Sequence, residues 1–339
     1  MTGKLYALPE GSRILVTGGN GFVGSNVIHA LLELGFKVRA TIRSPKPWLD
    51  QMFQEQFGED SFQSVVFADY HDLDGLVGIM DGVTGVAHLV SDVSFGADTE
   101  TIIRWVVKAT QTILKAASKQ PAIRRVVLTS SGVAVSVHEP NKAIAVDEST
   151  WNEAAVLAAR NPNTPKEAKG WFGYCASKTK AEQAAWQWVM ENNPQFQFNT
   201  VLPCFTIGRV LHKEIHGSTM GWVRGLLSGS REIFDIYIPQ HVVDVIDIAR
   251  LHAVALLDSN TKSQRIFGFA HSLNLTQMIS TLRRLRPDNA LIPNSPEGEG
   301  HDLTDFVPAK KAEKLIREFY GQERWTSVED SIAEGIKGC

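Results

Sequence analysis

The segment Thr17-Gly18-Gly19-Asn20-Gly21-Phe22-Val23-Gly24 constrains this chain more than any other. It follows the apolar run Ile14-Leu15-Val16 and opens a stretch with helical apolar spacing at Val23, Val27, Ala30, Leu31 and Leu34. A glycine turn between a buried strand and an amphipathic helix lets backbone approach phosphates without a Cβ in the way. It also points the free N–H groups of the helix start at negative charge. The spacing is Gly18-x-x-Gly21-x-x-Gly24 rather than the Gly-x-Gly-x-x-Gly of the dinucleotide fingerprint. Glycines alone also serve plain tight packing, so the strand before and the helix after carry the expectation of a pyrophosphate cradle at Gly18, Gly21, Phe22, Val23 and Gly24.

The next strand bears on the cofactor. Lys37-Val38-Arg39-Ala40-Thr41-Ile42-Arg43 alternates, with Val38, Ala40 and Ile42 on one face and Arg39, Thr41 and Arg43 on the other. An NAD site expects an acid here, about 20 residues past the first glycine, to hold the ribose 2′-hydroxyl. No acid occurs between Lys37 and Asp50; two arginines and Lys46 do. A guanidinium fork matches phosphate oxygens, so NADP(H) is expected, with Arg43 at the strand's C-terminal end as the first choice for the 2′-phosphate.

Further on, Tyr174-Cys175-Ala176-Ser177-Lys178 opens a stretch rich in helix formers, so Tyr174 and Lys178 share one helical face. A phenol is a poor acid at neutral pH, and a nearby ammonium favours the phenolate, which would make Tyr174 a better proton donor. Ser131 ends the run Val126-Val127-Leu128-Thr129-Ser130-Ser131, where its hydroxyl could polarise a carbonyl oxygen at the carboxyl edge of a sheet. Ser131, Tyr174 and Lys178 are the expected catalytic set.

These motifs resemble the extended short-chain dehydrogenases/reductases, in the group of dihydroflavonol reductases, and above all the fungal and yeast NADPH-dependent aldehyde and carbonyl reductases. Leu8-Pro9-Glu10-Gly11-Ser12, Gly85-Val86-Ala87-His88, Tyr174 to Thr179, Leu202-Pro203 with Thr206-Ile207-Gly208, and Trp325 to Ile332 carry the likeness over nearly the whole chain. The resemblance implies that Tyr174 donates a proton, Lys178 binds the nicotinamide ribose and Ser131 holds the substrate oxygen. It also implies that Asp69 and Tyr70 meet the adenine, and that Leu89 to Ser91 and Pro203 flank ribose and nicotinamide. Three positions depart from the family. Val90 stands where relatives usually keep alanine, Ala109-Thr110-Gln111-Thr112 replaces Gly-Thr-x-Asn, and Lys46 is offset from the usual 2′-phosphate lysines.

Strand and helix patterns alternate up to Leu202, which argues a doubly wound parallel sheet, a Rossmann α/β fold. Strands are expected at Arg13–Val16, Val38–Ile42, Ser64–Phe67, Val86–Val90, Val126–Thr129 and Asn199–Leu202, and helices at Val27–Leu34, Asp98–Lys119 and Tyr174–Asn192. After Pro203 the regularity breaks. A helix over Val242–Leu257 and a strand over Arg265–Phe269 return to the sheet, and helices near Lys310–Tyr320 and Val328–Ile336 close the chain. The expected division is a cofactor domain at 11–203 plus about 240–272, with a smaller C-terminal substrate-binding lobe at about 204–239 plus 273–339. Phe95, Trp171, Phe172 and Trp222 are candidates for an apolar substrate wall.

A chain of 339 residues can bury a sizeable core. A net charge of -3 without a basic run gives nucleic acid or an anionic membrane little to hold. Three scattered cysteines, Cys175, Cys204 and Cys339, suit a reducing cytoplasm better than a disulfide framework. The start Met1 to Gly11 lacks a signal-peptide core, and no run has the roughly 18 apolar residues of a membrane span. His212 and His216 share a helical spacing but lack further ligands nearby, so no metal is expected. The expectation is an NADPH-dependent reductase of aldehydes and ketones, a monomer or homodimer with a small carbonyl substrate. The alternatives are a nucleotide-sugar epimerase or dehydratase and a non-catalytic NADPH-binding regulator.

Overall fold

The computed structural model describes residues 6–92, 95–96, 98–136 and 139–339, so Met1 to Leu5 of the N-terminal stretch discussed above lie outside the described residues. The chain begins as alternating strands and helices: β1 Arg13–Val16, α1 Phe22–Glu33, β2 Lys37–Ile42, α2 Pro47–Phe57, β3 Phe62–Val66, α3 Leu73–Ile79, β4 Val83–His88, α4 Thr99–Ser118 and β5 Arg125–Thr129. A two-residue strand, β6 Ala145–Val146, precedes α5 Glu153–Arg160, the long α6 Lys166–Asn192, and β7 Gln197–Pro203. The rest runs β8 Phe205–Ile207, α7 Thr219–Gly225, α8 Glu232–Ile236, β9 Gln240–Asp244, α9 Val245–Leu257, β10 Arg265–Gly268 and β11 His271–Leu273. It ends with α10 Leu275–Leu285, β12 Asp305–Phe306, α11 Val307–Tyr320 and α12 Val328–Gly335.

Seven strands form one parallel sheet in the order β10-β7-β5-β4-β1-β2-β3. The period of two assigns its faces. Ile14 and Val16 of β1 pack on the layer of α1, α2, α9 and α11, while Leu15 packs with α3, α4 and α6. Chain order reverses direction at β1, between β2 and β4, and such a switch leaves a crevice at the carboxyl ends of the strands. That is the doubly wound α/β fold expected from the sequence.

The smaller sheet, β11-β9-β8, and helices α7, α8, α10 and α12 enclose a second apolar cluster around Phe205, Met220, Val223, Met278 and Ile332. Here the expected helix from Val242 is corrected. Val242 to Asp244 are strand, paired in parallel with β8 and antiparallel with β11. β-branched Val242 and Val243 suit a pleated surface, and the Asp244 carboxylate accepts from Ile246 N at 2.6 Å, which starts α9 only afterwards.

Candidate active site

The glycine turn crosses the crevice between β1 and α1. Gly18 has φ +73°, a left-handed conformation that a Cβ would strain, and the Cγ2 of Val90 lies 3.2 Å from where that Cβ would stand. A Cβ on Gly24 would run into the carbonyl oxygen of Gly18, so only glycine lets the helix start this close to the turn. Gly21 caps α1 without a side-chain bond, which leaves the first-turn N–H groups to a ligand. The side chains of Phe22 and Val23 pack into protein, Phe22 in the cluster that also holds Phe205 and Val245, so both bear on the crevice through their backbone.

Behind the turn, Thr17 Oγ1 accepts from Leu89 N (2.9 Å) and Val90 N (3.2 Å) and lies 2.9 Å from His88 Nδ1. A hydroxyl that accepts twice has its proton left to give, so Nδ1 is the acceptor and the His88 proton sits on Nε2. That Nε2 and the Oγ of Ser91 are buried without a partner among the described residues. Buried polar atoms are as a rule paired, so the bare turn, the open N–H groups and these two atoms together fit a dinucleotide.

The two arginines separate. Arg39 Nη1 donates to the carbonyls of Ile79 (2.7 Å) and Asp81 (2.9 Å), away from the crevice. Arg43 is exposed at the carboxyl end of β2. Tyr70 OH and Thr41 Oγ1 lie 2.6 Å apart, and Gly18 N donates to the same Thr41 oxygen at 3.1 Å. Burial raises the Tyr70 phenol, against the Thr41 bond and the charge of Arg43. Asp69 is exposed and turns its carboxylate to His71 N at 2.9 Å, while half-buried Lys46 caps α2 ahead of Pro47.

At the end of β5, Ser131 has extended backbone and leads into one tight turn, Gly132–Ala134. The Tyr174 phenol comes within reach of the Ser131 hydroxyl. Burial pushes the Tyr174 phenol up to about 12, with the Ser131 hydroxyl pulling the other way. Lys178 is pushed down to about 8 by burial, and the charge of Glu182 opposes that fall. Its Nζ donates to Thr129 O at 3.2 Å. The sequence expectation that the ammonium lowers the phenol is therefore corrected: Lys178 points at the end of β5, and burial governs Tyr174. Thr129 is held in turn by His252, whose Nδ1 donates to Ile248 O (2.8 Å), leaving Nε2 to accept from Thr129 Oγ1 (2.7 Å). Half-buried Pro203 ends β7, two strands from β4, and half-buried Leu89 follows β4.

Two rings gather beside the phenol. Phe95 lies 5.1 Å and Trp171 6.0 Å from the Tyr174 ring, and 6.4 Å from each other, centroid to centroid. Phe95 is 43% and Trp171 39% exposed, so each shows a face to solvent beside the site. Phe172 packs into clusters with Ile103, Val133 and Ala155, and Tyr174 packs against the latter two as well. Trp222 is half-buried in the smaller lobe, stacked on Phe205 at 6.3 Å. His212 stacks on Trp48 at 4.4 Å, and among the described residues no three potential metal ligands come together. No helix of the described residues is long and apolar enough to cross a membrane.

Sequence reasoning overlooked Thr17, Thr41, Thr129, Glu182 and His252. A signal existed for one of them: Glu182 stands four residues past Lys178, on the same helical face.

A doubly wound sheet with this turn and this Ser–Tyr–Lys edge defines a class of dinucleotide-dependent enzymes. The model of the NAD dependent epimerase/dehydratase family matches residues 14–267, and the chain belongs to that family. It is 39% identical over 339 residues to ketoreductase nvfG of Aspergillus novofumigatus, covering 99% of each chain. It is 35% identical to aldehyde reductase 2 of Sporidiobolus salmonicolor, covering 96% of each. Its fold matches yeast methylglyoxal/isovaleraldehyde reductase Gre2, solved with NADPH, at a TM-score of 0.77 and 24% identity over 95% of this chain and 96% of that one.

Proposed function

We propose that the chain is an NADPH-dependent reductase of aldehydes and ketones in which Tyr174 delivers the proton. Its curated relatives include named ketoreductases and an aldehyde reductase that match along nearly their whole length. The observation that carries the proton assignment is the Tyr174 phenol within reach of the Ser131 hydroxyl at the carboxyl edge of the sheet, with Lys178 one helical turn on. NADPH supplies the hydride. The glycine turn and the first-turn N–H groups of α1 hold its pyrophosphate, Arg43 its 2′-phosphate, and Lys178 and Ser91 its ribose end. Ser131 and Tyr174 grip the carbonyl oxygen. A phenol held near 12 is fully protonated at neutral pH, as a donor to a developing alkoxide must be.

Phe95 and Trp171 wall the apolar side of the substrate, and the lobe built on β8, β9 and β11 closes its far side. Arg43 and the missing acid on β2 weigh against a bound-NAD epimerase. The three unpaired thiols, Cys175, Cys204 and Cys339, fit a cytoplasmic enzyme. Following NADPH oxidation with aldehydes, β-ketoesters and aryl ketones tests the reading; no oxidation with any of the three classes overturns it.

A further inference from the structure

Lys178 and Glu182 are the two charged side chains lining the small cleft between α4, α6 and the ends of β4 and β5. The Glu182 side chain has no exposed surface. A carboxylate so placed is stable only if every oxygen is answered by donors. Oε2 accepts from Ser130 Oγ (2.7 Å) and Arg265 Nη2 (3.2 Å), and Oε1 from Thr200 Oγ1 (2.7 Å), Arg265 Nε (2.8 Å) and Trp186 Nε1 (3.4 Å). The donors come from the residue after β5 and from β7, β10 and α6. Arg265 is itself fixed: its Nη1 donates to the carbonyls of Glu148 (2.6 Å) and Thr150 (2.9 Å), and its guanidinium lies 3.7 Å over the Trp151 ring.

Packing alone does not call for such a pair, because buried ion pairs are often replaceable by apolar residues at no loss of stability. Its location offers a reason. Ser130 precedes Ser131, and Glu182 stands one turn from Lys178 on α6. The other side chains around the ammonium carry little charge: His88 on β4 is held neutral, down to about 3, by burial first and by Lys178 second, and Ser91, Thr110 and Thr129 are hydroxyls. Glu182 is thus the anion in the cleft, and Arg265 on β10 is the cation behind it.

We propose that Glu182 is a positioning residue for the reaction, its charge steadying the Lys178 ammonium and its bond to Ser130 fixing the strand end that presents Ser131, with Arg265 setting how much of that charge Lys178 feels. The proposal rests on the roles given above to Lys178 and Ser131.

The test is the pH profile of kcat/KM for NADPH-dependent carbonyl reduction, with melting curves for each protein. Glu182→Gln removes the anion, so Lys178 loses its proton sooner and the alkaline limb moves to lower pH by about one unit. Arg265→Met leaves the anion uncompensated and moves the limb the other way. Either single change can unfold the chain by stranding a buried charge, so the double variant Glu182→Gln/Arg265→Met removes both, and its limb moves down as for Glu182→Gln. A limb that stays in place in the folded variants, or moves the same way for both single changes, overturns the proposal. Lys178→Met is the companion arm. If it retains rate and limb, the role of Lys178 falls and the proposal with it; if it abolishes the rate while the Glu182 variants keep the wild-type limb, the proposal alone falls.

Discussion

The backbone carbonyl of Phe95 occupies the space that a side chain on Gly170 would need. Phe95 itself has φ +52°, a strained value for a bulky residue, and that contact helps to hold its ring over Tyr174. Gly170 lies inside α6, where alanine would ordinarily favour the helix by about 1 kcal/mol. The expected outcome of Gly170→Ala is the reverse of a helix-propensity gain at the site. Phe95 is displaced, KM for apolar carbonyl substrates rises several-fold, and the Kd for NADPH stays within a factor of two (about 0.4 kcal/mol). Steady-state kinetics beside cofactor titration check it.

Tyr174→Phe keeps the ring contacts with Phe95 and Trp171 and removes the hydroxyl that meets Ser131. Turnover should fall by roughly 10²–10⁴-fold, the range for a general acid, with NADPH binding near wild type. Single-turnover kinetics and a binding titration separate the two effects, and near-normal turnover would move the proton donor elsewhere.

The arginines on β2 should part company. Arg43→Ala is expected to weaken NADPH by about 10- to 100-fold, the worth of a charge-assisted bond, and to leave NADH little changed. Arg39→Ala should leave the cofactor preference intact and lower the melting temperature instead, since its guanidinium ties β2 to the carbonyls of Ile79 and Asp81. Equal loss of both cofactors in Arg43→Ala would remove that residue from the 2′-phosphate.

Acid should destabilise the fold before most carboxylates titrate. Burial first of all holds His88 down to about 3 and His252 down to about 4. In the unfolded chain both take up protons near pH 6.5. Below that pH the unfolded state binds more protons than the native one, so stability falls by about 1.4 kcal/mol per pH unit for each histidine until its folded pKa is reached. Asp244 acts oppositely: burial raises it to about 6, so the native state protonates it first and gains stability as pH falls from there toward 4. Two histidines outweigh one carboxyl. The melting temperature should drop from pH 7 to pH 5, and His252→Gln, less stable at pH 7, should show a shallower slope. A slope equal to wild type would mean that His252 titrates normally in the fold.

The sheet was legible because its signals are local and repeated. β1 and β5 are short apolar runs, β2 alternates, and Gly21, Asp72 and Asp98 mark where α1, α3 and α4 begin. After Pro203, β10 was legible but β8, β9 and β11 were not, because they are three to five residues long and earn their pairing from one another rather than from their own pattern. Arg43 stood out from Arg39 in sequence by its place at the strand's C-terminal end, but the carbonyls of Ile79 and Asp81 that take Arg39 had no signature there. Phe172 and Trp171 were one pair of aromatics until helix phase turned one inward. The lysine's field on Tyr174 was overestimated because burial, the stronger effect here, has no signature in a stretch of sequence.

The smaller lobe is joined to the main sheet at three corners with almost no slack. Cys204 alone separates β7 from β8, α9 follows β9 without an intervening residue, and two residues link β10 to β11. Joints this short leave few free residues to absorb a large rotation between the two regions. Access to the crevice then falls to loops at its rim, and changes in those loops can retune which molecules enter without disturbing the frame that carries them.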